Sequence, residues 1–332
     1  MYEFRNLENV GLDDITDTWN RAFSDYVVPL EMTLESVDAY LKVTGVDRRQ
    51  SYGTFCGGEL VGLLLNSVDT FRGSLAAYDA MTGIVPEHRG RGLFSQMFEY
   101  TRDSLKAGGI THYYLEVITT NERARSIYTK KGGKILRELA FVKGRVSGDA
   151  ASCGGALVGG ARSDDAPAGF AVKTLPLSEF ISKFPLDLTS DSASEFPSEE
   201  LCNYEPTFGN RLRSLYRNIA DYNVAYINED SKKTAVVYSS AGRIPQIVFG
   251  GAGGGAGAAT DADADAGTAT SANVVARADA KHSLHAILAH LSGMFETLSI
   301  SNIPTTETAL ISELQNLGLA ISVKQYEMCI EL

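Results

Sequence analysis

The sequence contains no apolar run approaching the roughly 20 residues that a helix needs to cross a bilayer, which excludes a helical membrane protein. Its first residues, MYEFRNLENVGLDD, lack the charged-then-apolar layout of a secretory signal and carry acids early, so a cytoplasmic location is expected. Cysteine is scarce: Cys56, Cys153, Cys202 and Cys329 show no C-x-x-C spacing and no histidine partners. That excludes a disulfide framework and a cysteine-based metal site, and the thiols read as reduced. The five histidines, His88 among them, have no metal-ligand spacing, so no metal is expected. Positive charge is also short. The formal net charge is -11, which argues against a nucleic-acid partner.

The acid is unevenly placed. Residues 1–148 hold 18 Lys and Arg against 19 Asp and Glu, whereas residues 149–332 hold 12 against 22. Such a field would draw in a cationic amine, and it would equally serve solubility. The length, 332 residues, exceeds one comfortable core and predicts two domains. Residues 147–169, rich in Gly, Ala, Ser and Asp, read as a linker. Residues 250–273 have still lower complexity and read as an inserted surface loop. The boundaries predicted are therefore 1–146, a linker, and 170–332.

Periodicity in the first half alternates between helix and strand. Leu12, Ile15, Trp19, Ala22 and Phe23 fall at helical spacing, and a second helix starts at Thr33 and ends near Gly45. Residues 51–56 and 59–67 read as strands joined at Gly57 and Gly58. Another strand covers 74–85 and stops at Pro86. A helix follows from Leu93 to Ala107, ended by Gly108 and Gly109. A strand at 111–118, a helix capped by Asn121, and a last strand or pair at 134–146 complete a mixed α/β domain.

The chemistry concentrates in residues 82–98, TGIVPEHRGRGLFSQMF. A strand ends, then Arg89, Gly90, Arg91 and Gly92 lead into a helix. Glycines there let an anion approach backbone N–H groups at a helix N-terminus, where the dipole favours negative charge. Arg89 and Arg91 add charge that suits phosphate. A solvated basic turn would have the same composition.

This segment resembles the acetyl-CoA-binding motif Q/R-x-x-G-x-G/A of the GNAT superfamily of N-acetyltransferases, with Phe94 where Gly or Ala is usual. Residues 115–132, LEVITTNERARSIYTKKG, resemble the second signature of that family through Asn121, Ala124, Tyr128 and Gly132, with Gly133 where an aromatic is common. The resemblance covers residues 2–146. It implies a GNAT-like mixed, mostly antiparallel sheet flanked by helices. It implies acetyl-CoA as co-substrate, held by Thr82, Gly83, Ile84, Arg89, Gly90, Arg91, Gly92, Leu93, Phe94, Ser95 and Asn121.

By similarity to the ribosomal-protein alanine acetyltransferases of the superfamily, Glu116 stands as base and Tyr128 as acid, with Asp79 a further candidate base. Local pattern leaves both roles open: Glu116 alternates with Leu115 and Val117 and could simply face solvent, and Tyr128 shares a helix face with Ala124 and Ile127. Acyl transfer to an amine needs just such a base and a donor to the departing thiol. Residues 20–32 would line the acceptor pocket, with Tyr26 as a pocket residue. The acceptor expected is a primary amine; the competing reading is an acyl-CoA-binding sensor or scaffold without turnover.

The second half repeats the theme faintly. Strands at 222–228, 234–239 and 244–249 and a helix at 281–292 precede a strand–helix–strand run from residue 298 to the last residue. Gly318 and Leu319 sit where the glycine–aromatic pair would fall. No R-x-x-G-x-G turn occurs, and the glycine-rich stretch has no Arg or Lys before Arg277. A degenerate GNAT-like copy without acetyl-CoA is expected.

Overall fold

The computed structural model describes residues 1–25, 31–146, 171–183, 207–229, 232–250 and 271–332. The predicted linker at 147–169, residues 251–270 of the predicted insert, and Tyr26 lie outside the described residues. The chain divides into two compact units: Met1–Leu139 with Arg213–Asn218 and Lys324–Leu332, and Ala140–Leu212 with Ile219–Val323. The division does not follow the two contiguous halves of the sequence.

Unit 1 begins with β1 (Tyr2–Asn6), α1 (Leu12–Ala22), α2 (Leu34–Thr44), β2 (Tyr52–Cys56), β3 (Glu59–Phe71) and β4 (Ser74–Ile84). It continues with α3 (Leu93–Ala107), β5 (His112–Ile118), α4 (Glu122–Lys130) and β6 (Lys134–Gly144), the last crossing into unit 2. Local signals explain these bounds. Thr33 caps α2 by accepting from the Ser36 amide, and Gly45 closes it at φ +69° in the left-handed region. Gly57 and Gly58, at φ +60° and +90°, make the two-residue hairpin between β2 and β3. Helix α3 packs Leu93, Met97, Phe98, Thr101 and Leu105, one stripe at helical spacing, against the sheet.

Unit 2 contains β7 (Lys173–Pro176), α5 (Leu177–Lys183), only the first residue of the short α6 (Leu212–Leu215), β8 (Tyr222–Glu229) and β9 (Lys232–Ser239). Then come β10 (Arg243–Ile244), β11 (Gln246–Gly250), α7 (Ser271–Ser292), β12 (Leu298–Pro304), α8 (Thr308–Asn316) and the start of β13 (Leu319–Glu331). Strands β7, β8, β9 and β11 form an antiparallel sheet, and β10 pairs in parallel with β12. The core of this unit gathers Val236, Ile287, Leu288, Leu291, Ile300, Leu314 and their neighbours.

The strand order of unit 1 is β1-β2-β3-β4-β5, then β13 and β6. The neighbour of β5 is thus the distant β13 rather than β6. They pair antiparallel from Gln325↔Ile118 to Glu331↔His112, and Met328 and Ile330 enter the core beside Leu115, Val117 and Tyr128. The segment Arg213–Asn218 joins unit 1 through Arg217, which donates to Asp69 at 2.7 Å.

Two features of β4 shape the site. Its pairing with β3 skips a residue, Leu65 facing Met81 and Asn66 facing Asp79, so Ala80 is a bulge. The Tyr40 hydroxyl from α2 donates to the Ala80 carbonyl at 2.5 Å. Its parallel pairing with β5 covers three positions only, ending at Tyr78↔Tyr114, and the two strands then separate.

Candidate active site

The separation of β4 from β5 leaves a V-shaped opening whose two faces carry different chemistry. Tyr113, Leu115 and Val117 of β5 pack with α3 and Tyr128 of α4. Alternation puts Tyr114, Glu116 and Ile118 on the opposite face, the one on which α1 and α2 cover Leu63, Leu65 and Met81.

On the α3–α4 face, the buried Tyr128 donates its hydroxyl hydrogen bond to Asp79 at 2.7 Å. The Thr82 hydroxyl lies 2.8 and 2.9 Å from the two oxygens of the same carboxylate. Tyr113 donates to Asn66 at 2.9 Å. Desolvation raises the Asp79 pKa against the lowering effect of its hydroxyl partners, Tyr128, Thr82 and Tyr113. Tyr128 is pushed well above the ordinary tyrosine value, first by burial and then by the charge of Asp79.

On the other face, Tyr78 donates to the Glu116 carboxylate, and burial followed by that charge raises the Tyr78 pKa well above its usual value. Glu116 is half-buried. Directly across the strand pair stands Glu327 of β13, buried and bridged by Arg137 at 2.8 Å and Arg72 at 3.1 Å. Glu116 and Tyr128 do not bond to each other; each is held by a residue of β4, Tyr78 and Asp79 respectively.

The turn into α3 fits an anion. Gly90 and Gly92 have φ +76° and +70°, and a Cβ built on either meets nothing within 4 Å. The space in front of the turn is open, and both glycines and Arg91 are exposed. No backbone acceptor takes the amides of residues 90–95 among the described residues, as expected for the first turn of a helix. These N–H groups match a pyrophosphate, so the residues present fit acetyl-CoA. Among the described residues, the side of Thr82, Gly83 and Ile84 away from β3 has no strand partner, because the pairing of β4 with β5 ends at Tyr78↔Tyr114.

The other motif residues have placements that the sequence did not show. Arg89 is turned away from the glycine turn. It donates to Ile84 O at 2.8 Å, Ala22 O at 2.7 Å and both oxygens of Asp25 at 2.6 and 2.9 Å. It therefore braces α1 against the end of β4, and the charge expected to meet phosphate is already paired. Arg91 makes one long bond, to Glu87 O at 3.4 Å, and is exposed.

Leu93 is core. Phe94, at the position where Gly or Ala is usual, packs edge-on against the Tyr128 ring, with centroids 5.2 Å apart. The Ser95 carbonyl receives a long bond from Lys131 at 3.5 Å. The Asn121 side chain is occupied as the N-cap of α4, accepting from the Ala124 amide at 3.0 Å. Gly133 has a steric reason: a Cβ there would lie 2.8 Å from the Tyr128 carbonyl and 3.1 Å from Met328. His88 bonds the Tyr2 hydroxyl at 2.9 Å. Tyr40 and Tyr78 escaped sequence reasoning as site residues. The available signal was a Tyr-Asp pair on a strand otherwise small and apolar.

Among the described residues no cluster of His, Cys, Asp and Glu could hold a metal, and no helix is long and apolar enough to cross a membrane.

Comparison with known proteins bears on the same segment. Residues 3–135 match the family profile described as an acetyltransferase (GNAT) domain. N-alpha-acetyltransferase 30 of Schizosaccharomyces pombe is 34% identical over 73 residues, 22% of this chain and 49% of that protein. The chain thus spans about half the length of this curated relative.

Among solved structures, a putative acetyltransferase from Pyrococcus horikoshii aligns over 100% of this chain and 89% of its own, with TM-score 0.58 and 10% identity. A tandem GNAT protein from the clavulanic acid biosynthesis pathway aligns over 100% and 98%, with TM-score 0.57 and 13% identity. At such identities these structures speak for the fold. The profile match, the glycine turn before α3 and the parted strands coincide in residues 3–135, the stretch that is similar to a GNAT acetyltransferase domain.

Proposed function

We propose that unit 1 transfers an acetyl group from acetyl-CoA to a primary amine by direct attack. The observation that carries this reading is the opening between β4 and β5, where one titratable pair meets from each face of the sheet. Acetyl-CoA would lie along the free edge of Thr82–Ile84, with its pyrophosphate on the amides of residues 90–95. Within the opening, Glu116 takes a proton from the attacking amine, and Tyr128 gives its hydroxyl proton to the departing sulfur. The bulge at Ala80 breaks the ladder with β3, and a backbone N–H freed there would donate to a developing oxyanion.

The acceptor is read as an amine presented from the α1–α2 face. Protein N-termini are the first class to test, because the curated relative is named an N-alpha-acetyltransferase. Unit 2 is read as a degenerate copy that binds no acetyl-CoA, and the protein as cytoplasmic.

The test is thiol release from acetyl-CoA by the full chain with a panel of small amines, polyamines and N-terminal peptides. Turnover with at least one amine is expected. Glu116→Gln should lower it most near neutral pH, with the deficit shrinking at high pH, where the amine deprotonates without help. Tight acetyl-CoA binding with no release on any amine would instead describe a sensor.

A further inference from the structure

We propose that Asp79 is a positioning residue that works through Tyr128: in its protonated form it turns the tyrosine hydroxyl out toward the leaving group and then replaces the proton lost. This rests on the reading of Tyr128 as the acid.

The argument begins with the direction of one hydrogen bond. As described, Tyr128 donates to Asp79 at 2.7 Å. While Asp79 is ionised, that proton is held by a carboxylate and cannot be given to anything else; the same charge makes the phenol a still weaker acid. A neutral Asp79 carboxyl reverses the bond. Its O–H then donates to the Tyr128 oxygen, and the Tyr128 hydrogen is free to point into the opening.

The surroundings favour the neutral form. Burial is the dominant influence on Asp79, and its partners are all hydroxyls: Tyr128 from α4, Thr82 from β4 itself and Tyr113 from β5. The single proton of Tyr113 is directed to Asn66 of β3, which leaves its oxygen as a further acceptor for a protonated carboxyl. No basic side chain bonds to Asp79 among the described residues. The other charged group nearby, Glu116, is held on the opposite face by Tyr78. Phe94 fixes the Tyr128 ring edge-on, so the hydroxyl can swing without the ring moving.

The protons balance. The Tyr128 O–H bond breaks as an S–H bond forms on the leaving sulfur. The Asp79 O–H bond breaks as Tyr128 regains its proton, leaving a carboxylate. Solvent returns one proton to Asp79 before the next turnover, while the proton taken from the amine by Glu116 leaves to solvent.

The experiment uses the full chain with an amine that supports turnover, and compares Asp79→Asn, Tyr128→Phe and the double variant. Acetyl-CoA affinity is measured by calorimetry and folding by thermal melts. In the wild type, turnover should fall on the alkaline side of the raised Asp79 pKa, as the carboxyl loses its proton, and mixed H2O/D2O solvents should show two protons in flight. Asp79→Asn should bind acetyl-CoA as tightly as the wild type, lose about 10²-fold in turnover, lose the alkaline fall and show one proton. In the Tyr128→Phe background Asp79→Asn should cost nothing further.

Multiplicative losses in the double variant, or an unmoved pH profile, would overturn the proposal and leave Tyr128 as acid intact. If Asp79→Asn does not fold, Thr82→Val serves. It removes a bond that favours the ionised carboxylate, so the alkaline fall should move to higher pH; an unmoved fall overturns the proposal. A wild type inactive on every amine removes the function reading, and the relay with it.

Discussion

The two units present the same strand junction with opposite chemistry. In unit 1, β4 and β5 run parallel as far as Tyr78↔Tyr114 and then part; in unit 2, β10 and β12 do so as far as Ile244↔Ile300. One step beyond lies Asp79 in the first and Pro245 in the second. Two steps along the partner strand stand Glu116 and Asn302. Helices α4 and α8 are both nine residues long, and their seventh positions are Tyr128 and Leu314. Asp79, Glu116 and Tyr128 of unit 1 thus have counterparts in unit 2, Pro245, Asn302 and Leu314, that cannot titrate. Asn302 even takes φ +60°, a left-handed position in a strand, and donates to Thr207 at 2.9 Å. The comparison teaches that the same parallel junction forms with ionisable side chains at these positions in unit 1 and without them in unit 2.

The sharpest way to break the contrast is at the seventh helix position. Tyr128→Phe keeps the ring and its contact with Phe94, so acetyl-CoA affinity should hold while turnover falls about 10²–10⁴-fold. Leu314→Ala should instead act on stability, costing about 2–5 kcal/mol in denaturant unfolding, as for a buried leucine. Near-native turnover in folded Tyr128→Phe would remove the acid assignment.

The next contrast lies between two buried carboxylates. Glu327 in unit 1 is bridged by two arginines, whereas Glu313 in unit 2 is bridged by Lys281 at 2.8 Å and by His285. Glu327→Ala leaves Arg72 and Arg137 without that partner and should cost about 3–5 kcal/mol in chemical denaturation. Glu313 has a lowered pKa, with Lys281 and His285 outweighing desolvation. Its contribution should be present above the ordinary glutamate range and be lost as pH falls through the depressed value. Melts of wild type and Glu313→Gln from pH 7 to pH 3 should therefore converge at the acid end.

A third effect belongs to the turn that unit 2 lacks. Gly92→Val places a side chain in the open space before the amides of residues 90–95. Calorimetry should show acetyl-CoA affinity reduced by more than about tenfold, with a stability cost of about 1–2 kcal/mol for a left-handed non-glycine residue. Unchanged affinity in a folded variant would mean that the phosphates bind elsewhere.

The smallest difference is at the helix starts. Asn121 caps α4 with its side chain, whereas Glu307 at the start of α8 makes no side-chain cap bond. Asn121→Ala should cost about 1 kcal/mol, and Glu307→Ala should stay within about 0.5 kcal/mol. If Asn121→Ala weakens acetyl-CoA binding well beyond this, the residue touches the co-substrate as well.

Much of the local structure could be read directly. Gly92 and Gly108 bracket α3, and Gly57 and Gly58 mark their hairpin, because backbone freedom at glycine is a property of one residue. The glycine turn was legible for the same reason. What could not be read depends on residues far apart in sequence. Nothing near Arg89 reveals that Asp25 will take its guanidinium, and nothing near Tyr128 reveals Asp79. The bulge at Ala80 arises from register with β3, and the place of β13 beside β5 arises from pairing across most of the chain.

That last pairing sets an order of events for folding. The sheet of unit 1 is finished by residues 324–332, which follow everything from residue 140 onward. A nascent chain that has reached residue 146 holds every candidate catalytic side chain, yet has an open edge at β5 and lacks the apolar cover of Met328 and Ile330. Closing so long a loop is slow, because its entropy is lost before the contacts that repay it are made. The second unit then has a use that requires no chemistry. By folding, it shortens the tether between β5 and the strand that pairs with it, so the edge of β5 is covered only after residues 325–331 have been made.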